Sequence, residues 1–320
     1  MSNRRAVFLD LAPLDQGDLD LTPLHSAFDE LICYIQTDEA QIIERLQGAQ
    51  VAIVNKLVLG AEVFRACPEL KLILVAATGL NNIDLAAARQ HGISVCNCQG
   101  YGTATVAQHS LMLLLALATR LPDYQAAVAR GRWQESGQFC LLDFPIVELD
   151  GKTLGILGHG ELGSAVARLA EAFGMRVLTG NLPGRPPHPQ RLELDELLPQ
   201  VDALSLHCPL TEPTRNLIGA RELRLMKPTA FIINTARGGL IDEQALADTL
   251  RQGHLGGAAT DVLTSEPPSH DNPLLAPDVP RLIVTPHSAW GSREARQRIV
   301  GQMCENAEAF FAGKPVRLGN

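Results

Sequence analysis

Short apolar runs alternate with amphipathic segments along the first hundred residues. The apolar, β-prone runs predict strands at residues 7–11, 31–36, 51–55, 71–76 and 93–97. The segments between them predict helices at residues 39–46, 61–66 and 82–90. Glycine and proline separate these elements. Such alternation is typical of a parallel sheet whose strands are joined by helical crossovers.

A long helical pattern covers residues 102–119 and is followed by a looser stretch, 131–145. A second alternating series begins at Gly151, with strands predicted at residues 153–157, 176–179, 203–206, 230–234, 257–261 and 282–285. A last helix is predicted at 292–311, and we expect it to pack on the first domain. The pattern therefore predicts an α/β protein of two Rossmann-like, doubly wound parallel-sheet domains with a cleft between them. Their predicted limits are 1–100 plus 290–320, and 101–289.

Composition and charge narrow the class of protein. Hydrophobic residues make up 46% of the 320 residues and charged residues 19%, as in an ordinary globular protein. The net charge of −8, without a long basic run, makes nucleic acid and anionic membranes unsuitable partners. The apolar segment 111–118 is too short to span a bilayer, so we expect a buried or subunit-interface helix. Seven cysteines without a C-x-x-C pair favour reduced thiols and a cytoplasmic protein, and the histidines lack metal-ligand spacing, so no metal is expected.

A glycine cluster follows the predicted strand 153–157. Gly158, Gly160 and Gly163 form G-x-G-x-x-G between this strand and the predicted helix 164–173. In this context one glycine makes a tight turn, one lets a diphosphate approach the backbone, and one lets the helix pack close to the strand. The cluster therefore predicts that this domain binds a dinucleotide, with the diphosphate at the helix N-terminus.

The end of the next predicted strand bears on the choice of cofactor. An acidic residue is expected there to bind the ribose 2′-hydroxyl, but the chain continues Thr179-Gly-Asn181 towards Arg185 without an Asp or Glu. Asn181 can bind the ribose, and Thr179, Asn181 and Arg185 can equally receive a 2′-phosphate. Arg185 as a plain solvated loop charge is the simpler alternative. The sequence favours NADP(H), or the use of both cofactors, and leaves NAD(H) open.

Three polar side chains each follow one of the last three predicted strands: Arg237, Glu266 and His287. An arginine can clamp a carboxylate, a histidine can move a proton, and a glutamate can hold that histidine charged and oriented. A lone histidine at a strand end would more simply be a satisfied structural group. Together, the three side chains predict proton-coupled carbonyl chemistry on a small anion.

The motifs together resemble those of the D-isomer-specific 2-hydroxyacid dehydrogenase family over nearly the whole chain. The resemblance rests on the glycine cluster, on Asn-Thr-Ala-Arg237-Gly-Gly, on Glu266-Pro-Pro, and on Thr-Pro-His287-Ser-Ala-Trp290. The loop Ala-Thr78-Gly79-Leu and the His-Ser-Ala-Trp ending are most similar to those of hydroxypyruvate/glyoxylate reductases, also called glycerate dehydrogenases. The missing acid after the second strand departs from the NAD-dependent pattern.

This resemblance implies an NAD(P)H-dependent oxidoreductase that reduces a small 2-oxo acid to the D-2-hydroxy acid, usually as a homodimer. It implies a substrate-binding first domain and a dinucleotide-binding second domain, with Arg237, Glu266 and His287 as catalytic residues. The cofactor-binding residues it implies, besides those of the glycine cluster, are Glu161, Leu162, Pro209, Thr235, Ala236, Asp261, Ser288 and Val106. The substrate-binding residues it implies are Asn55, Thr78, Gly79, Arg237 and Trp290. His109 is expected at a neighbouring subunit or at the inter-domain seam.

Two other functions stay open on the sequence. The same fold can act on phosphite or formate, although formate dehydrogenases of this family resemble one another in carrying glutamine where Glu266 stands. Transcriptional corepressors that share the fold bind the nucleotide as sensors and can keep the catalytic residues.

Overall fold

The computed structural model describes residues 4–320; residues 1–3, which begin the first predicted domain, lie outside the described residues. The strands are β1 (Arg5–Phe8), β2 (Glu30–Cys33), β3 (Val51–Val54), β4 (Leu72–Val75), β5 (Ser94–Cys96), β6 (Thr153–Leu157), β7 (Arg176–Gly180), β8 (Ala203–Leu206), β9 (Phe231–Asn234), β10 (Gly257–Thr260) and β11 (Leu282–Val284). The α-helices are α1 (Thr22–Ser26), α2 (Ile42–Leu46), α3 (Ala61–Ala66), α4 (Leu85–Gln90), α5 (Thr103–Ala118), α6 (Leu121–Ala129), α7 (Arg132–Ser136), α8 (Glu161–Ala172), α9 (Leu194–Leu197), α10 (Ala220–Leu225), α11 (Glu243–Arg251) and α12 (Arg293–Phe311). Short 3-10 helices lie at Glu39–Gln41, Glu212–Thr214, Gly238–Leu240 and Pro273–Leu275.

The chain divides into two compact units. The first takes in the described residues up to Gly102 together with Trp290–Asn320, and the second is Thr103–Ala289. Each unit contains one sheet in which all paired strands run parallel. This architecture confirms the predicted class of two doubly wound α/β domains.

The first unit has the strand order β2-β1-β3-β4-β5. Its central strands β3 and β4 are buried along their whole length, as expected for parallel strands covered on both faces. Helix α12 packs against one face of this sheet through Ile299, Val300 and Met303, all fully buried. After β1 the chain adds β2 on one side of β1 and then β3 on the other side. The loops that follow β1 and β3 therefore run in opposite directions across the sheet. Such a switch point is where doubly wound sheets bind ligands.

The second unit has the strand order β11-β10-β9-β8-β6-β7, with its switch point between β6 and β8. Leucine and isoleucine side chains from β8, β9, α10 and α11 form one buried cluster on one face of the sheet. Side chains from α5, α8 and β6 form another on the opposite face. The loops after all six strands therefore lie at the carboxyl edge of a rigid sheet.

The stretch 131–145, which the sequence suggested to be loose, contains the short helix α7, which lies between Gly131 and Gly137, both in left-handed conformation. Helix α6 precedes this stretch and starts beside Pro122, a residue favoured in a first turn. No single helix among residues 4–320 is long and apolar enough to cross a membrane; α5 and α6, bent by 61° relative to each other, reach that length and composition only as a pair. All seven cysteines lie within the described residues and none is in a disulfide.

Candidate active site

The turn after β6 requires glycine at two positions, and a third glycine faces open space. Gly158 has a φ of +98°, and a Cβ there would lie 2.5 Å from the carbonyl carbon of His207. A Cβ on Gly163 would lie 2.2 Å from the Gly158 oxygen, so this glycine lets α8 pack against the turn. Gly160, by contrast, faces open space, with no atom within 4 Å of an added Cβ. Its bare backbone at the start of α8 leaves room for a phosphate group beside the helix N-terminus.

Substitutions of Gly160 and Gly163 are expected to have two distinct effects. We expect Gly160→Ala to keep the melting temperature but to weaken NADPH binding by about tenfold or more, since its methyl group occupies the open face. Gly163→Ala is expected to lower the melting temperature because of the clash with the Gly158 oxygen. Gly301→Ala, an open position in α12, is the control: it should leave NADPH binding unchanged and should not lower the melting temperature. Thermal melts and fluorescence titration with NADPH measure both effects. Equal destabilisation by Gly160→Ala and Gly163→Ala would contradict this account.

The first turn of α8 carries the predicted residues Glu161 and Leu162. The Glu161 carboxylate is exposed and accepts a hydrogen bond from the Thr103 hydroxyl at 2.5 Å. Leu162 is half-buried. Both residues thus lie at the turn where the sequence placed them, and their contact with a cofactor stays a prediction.

The end of β7, where the adenosine of the cofactor is expected, differs from the sequence prediction that no acidic side chain lies there. The side chain of Asn181 closes its own loop: Nδ2 donates to Glu193 Oε1 at 2.7 Å, and Oδ1 accepts from the His188 amide at 3.0 Å. An acidic side chain therefore does lie at the end of β7, but it comes from twelve residues further along the chain. Arg185 is exposed, and its guanidinium makes no hydrogen bond or ion pair within residues 4–320.

The predicted acid–base pair is formed after β10 and β11. His287 Nδ1 lies 2.5 Å from Glu266 Oε2, and the other carboxylate oxygen of Glu266 accepts the Leu263 amide at 2.9 Å. Because the carboxylate can only accept, the Nδ1 proton lies on the imidazole. His287 Nε2 has no hydrogen-bond partner within the described part of the chain. Both side chains are about one-third exposed, so this nitrogen can reach a substrate.

Arg237 follows β9 in a loop that its neighbours hold tightly. The fully buried side chain of Asn234 accepts the Ala236 amide at 3.1 Å and donates to the Arg237 carbonyl at 2.8 Å. A Cβ on Gly238 would lie 2.0 Å from the Leu263 carbonyl carbon, so the loops after β9 and β10 touch there. The Arg237 guanidinium is exposed and bonds only the Ala236 carbonyl, at 2.7 Å, among residues 4–320. Most of its donors are thus available to an anion.

Asp261 follows β10 at the carboxyl edge of the second sheet and is buried, with 1% of its surface exposed. Its carboxylate accepts the amides of Ser288 at 3.0 Å and Ala289 at 2.8 Å, and so holds the turn that follows His287. The structure shows Asp261 and Ser288 bonded to each other, whereas the sequence placed both only at the cofactor. Their contact with the nicotinamide stays a prediction.

The remaining predicted cofactor residues line the same edge. Thr235 is bonded through its hydroxyl to Ser110 of α5 at 2.8 Å, and Val106 is buried one turn earlier in that helix. Pro209 is exposed after β8, next to His207. Burial lowers the pKa of His207 to about 4, so this side chain is neutral at physiological pH.

Apart from Arg237, the predicted substrate residues belong to the first unit. Asn55 follows β3, is 2% exposed, and its Nδ2 has no partner within the described residues. The loop after β4 carries Thr78 and Gly79, whose amides donate to no group in residues 4–320, while the Thr78 carbonyl is held by Asn97 Nδ2 at 2.8 Å. Trp290 packs edge-on against Tyr101, with ring centroids 6.4 Å apart. The indole is thus a half-buried packing group, and its role in substrate binding stays a prediction.

Asp10 is an unpredicted buried acid at the switch point of the first sheet. Its carboxylate accepts the amides of Asn55 at 2.7 Å, Lys56 at 2.7 Å and Leu57 at 3.1 Å. Burial raises the pKa of Asp10, and these hydrogen bonds oppose that effect. Asp10 therefore shapes the loop that presents Asn55. The only sequence signal for it is a carboxylate directly after an apolar strand.

His109 has polar contacts within the second unit. Its Nε2 lies 3.0 Å from the Thr285 hydroxyl and 3.5 Å from Asp261 Oδ1. Its expected place at a neighbouring subunit or at the inter-domain seam stays a prediction.

Comparison with known proteins agrees with this geometry. A family model described as the NAD-binding domain of D-isomer-specific 2-hydroxyacid dehydrogenases matches residues 111–289. A glycerate dehydrogenase of Methylorubrum extorquens is 45% identical over 313 residues, covering 98% of either chain. The chain belongs to the D-isomer-specific 2-hydroxyacid dehydrogenase family.

Two more proteins are similar to this one over almost the whole chain. A hydroxypyruvate reductase of Blautia hydrogenotrophica is 38% identical, covering 99% of both chains. The solved structure of an acyclic imino acid reductase in complex with NADPH and D-Arg has a TM-score of 0.83 and 30% identity, covering 98% of this chain and 99% of that one. The family match makes the second unit a domain that binds a nicotinamide dinucleotide.

Proposed function

We propose that this family member uses NAD(P)H to reduce hydroxypyruvate to the D-2-hydroxy acid D-glycerate, or glyoxylate to glycolate. The observation that carries the proposal is the pair of His287 and Glu266, whose side chains meet at 2.5 Å at the edge where Arg237 also lies. The glycerate dehydrogenase and hydroxypyruvate reductase relatives support it, and they favour 2-oxo acid reduction over phosphite, formate or a sensor role.

His287 supplies the proton. When bound, NAD(P)H supplies the hydride to the carbonyl carbon. Negative charge then develops on the carbonyl oxygen, and His287 donates its Nε2 proton to that oxygen. Glu266 accepts a hydrogen bond from the Nδ1–H throughout, so it keeps the ring oriented and stabilises its charged form. In the reverse direction His287 Nε2 accepts the proton of the substrate hydroxyl.

Arg237 supplies the fixed positive charge. Its planar guanidinium has donors left for a carboxylate and for the carbonyl oxygen, which a lysine cannot contact in the same forked manner. The Asn234 side chain fixes the loop on both sides of Ala236, so the cation is positioned before the substrate arrives.

In the first unit, two kinds of donor suit the two ends of a small hydroxy acid. The free amides of Thr78 and Gly79 fit a carboxylate. The buried amide of Asn55 lacks an acceptor and fits a hydroxyl such as the one at C3 of hydroxypyruvate. Glyoxylate has no such group, and this difference favours hydroxypyruvate.

We further propose NADP(H) as the preferred cofactor, on account of Arg185. Its guanidinium is exposed and makes no hydrogen bond or ion pair in the described chain. The Glu193 carboxylate at the end of β7 is bonded to the Asn181 side chain at 2.7 Å, so Arg185 is left to pair with a 2′-phosphate. We expect Arg185→Ala to raise the KM for NADPH about tenfold and to leave the KM for NADH nearly unchanged. Arg168→Ala, an exposed arginine of α8, is the control. Equal effects on both cofactors would contradict the assignment.

A homodimer is proposed from the exposed apolar side chains of residues 121–146. Six large hydrophobic side chains are exposed in this segment, among them Phe139 at 91% and Leu142 at 78%. Exposed apolar surface that is rich in such side chains commonly marks an interface. We expect Phe139→Asp with Leu142→Asp to shift the protein from the mass of two chains to that of one in light scattering. Ile35→Asp, an exposed position of the first unit, should not, and a monomeric wild type would contradict the proposal. A cytoplasmic location stays a prediction.

The experiment that tests the function is a set of turnover assays. NADPH and NADH oxidation is followed separately with hydroxypyruvate, glyoxylate and pyruvate. Rapid turnover of hydroxypyruvate or glyoxylate is expected. Nucleotide binding without turnover of any 2-oxo acid would overturn the proposal and favour a sensor.

A further inference from the structure

The turn that carries His287 is held by one carboxylate. Asp261 accepts the amides of Ser288 and Ala289, and its Oδ1 also accepts the Thr285 hydroxyl at 2.5 Å. Its carbonyl accepts the His287 amide at 2.8 Å. Every residue from 287 to 289 is therefore tied to Asp261.

His287 needs this support because of its backbone conformation. Its φ is +51°, in the left-handed region that side chains other than glycine seldom adopt. A residue in this region persists when its surroundings fix it, and such residues cluster at functional sites. The direction of the imidazole thus depends on how firmly Asp261 holds the turn.

His109 joins this network from α5, 176 positions earlier in the chain. Its Nε2 is 3.0 Å from Thr285 Oγ1 and 3.5 Å from Asp261 Oδ1. The Thr285 hydroxyl has one proton, and its 2.5 Å contact directs that proton to the Asp261 carboxylate. Thr285 Oγ1 can therefore only accept from His109, which places a proton on His109 Nε2.

We propose that His109 is a positioning residue for the proton donor of the reaction. Its Nε2 proton, through Thr285 and Asp261, keeps the turn at 287–289 in place, so that His287 Nε2 points at the substrate oxygen. The proposal rests on the proposed function for its kinetic consequence, whereas its hydrogen-bond pattern can be tested separately. The neighbouring residue Ser110 bonds Thr235 in the loop after β9, so α5 supports two of the loops at this edge.

Three variants test the role of His109. His109→Leu removes the donor, His109→Gln keeps a donor at a similar distance from the backbone, and His254→Leu is the control. His254 is half-buried in the same unit, and its side chain has no hydrogen bond in residues 4–320. We expect His109→Leu to lower kcat by about ten- to 100-fold, because it removes a hydrogen bond to Thr285, which itself bonds the Asp261 carboxylate. The KM for NADPH should change little. His109→Gln should recover most of kcat.

Thr285→Val provides a second variant of nearly unchanged shape. It breaks the same chain of bonds, so we expect a similar loss of kcat from it. The double variant of His109 and Thr285 should lose little more than either single variant, since both act through Asp261. If His109→Leu does not fold, Thr285→Val and His109→Gln still decide the question.

A wild-type kcat in His109→Leu would overturn the positioning role of His109 while leaving the proposed function intact. Losses of kcat that multiply in the double variant would do the same. No turnover by the wild type would instead refute the proposed function. In that case long-range 1H–15N spectra test the hydrogen bonds of His109 alone. The proposal predicts a proton on His109 Nε2, whose signal is identified by comparison with His109→Gln. A proton on Nδ1 only would overturn the proposal.

Discussion

Replacing His287 by alanine is expected to lower kcat for hydroxypyruvate reduction by about 10²- to 10⁴-fold, the usual contribution of a positioned general acid. The side chain is fixed by Glu266 at 2.5 Å on one nitrogen, and its other nitrogen has no protein partner within residues 4–320. Its removal deletes the proton donor and leaves the glycine turn intact. The dissociation constant for NADPH should therefore stay close to that of the wild type.

Steady-state kinetics and NADPH fluorescence titration measure the two quantities. His270→Ala, an exposed loop histidine of the same unit, serves as the control and should keep full activity. A His287→Ala enzyme with more than roughly a tenth of wild-type kcat would show that another group protonates the product.

Replacing Arg237 is the change with the second-largest expected effect. Arg237→Ala should lower kcat/KM by about 10³-fold and Arg237→Lys by about 10²-fold, because lysine keeps the charge but loses the forked donors. In the proposed mechanism Arg237 contacts both the carboxylate and the developing charge, so kcat should fall and the KM of the 2-oxo acid should rise.

Arg215→Lys is the matched control, an exposed arginine of the same unit whose substitution should leave kcat/KM unchanged. An Arg237→Lys enzyme with wild-type kcat/KM would mean that a simple positive charge suffices. That result would contradict the forked contact on which the mechanism depends.

The apolar pattern predicted each of the eleven strands, but it overextended several of them. The first strand was predicted to reach residue 11, yet its ladder ends at Phe8. Leu9 and Leu11 are still buried, because the chain continues through the protein interior after leaving the sheet. Hydrophobicity reports burial, whereas a strand is defined by its hydrogen bonds, and the two differ where buried chain turns into a loop.

The candidate catalytic groups could be identified because each lies in the loop that follows a strand. Position along the chain then determines position at the edge of the sheet, and Arg237, Glu266 and His287 needed no knowledge of side-chain contacts. The groups that support them could not be found in this way. His109 meets Thr285 across 176 residues, and Asp10 meets Asn55 across 45. Such contacts depend on how helices and loops pack, which periodicity does not specify.

Glu193 shows the same limit at the cofactor end. We predicted no acid at the end of β7 because the prediction rested only on the residues that directly follow this strand. The loop of residues 181–193 folds back, so that Leu192 bridges to Gly180 and Glu193 meets Asn181. A side chain twelve residues away thereby reaches the strand end.

The central claim is hydride transfer to a 2-oxo acid with protonation by His287, and isotope transfer tests it most directly. The enzyme is given hydroxypyruvate and NADPH deuterated at the transferred position, and the product is analysed by mass spectrometry and chiral chromatography. The account predicts D-glycerate with one deuterium at C2 from the wild-type enzyme, and almost none from His287→Ala. Unlabelled product, the L-isomer, or equal product from both enzymes would contradict it.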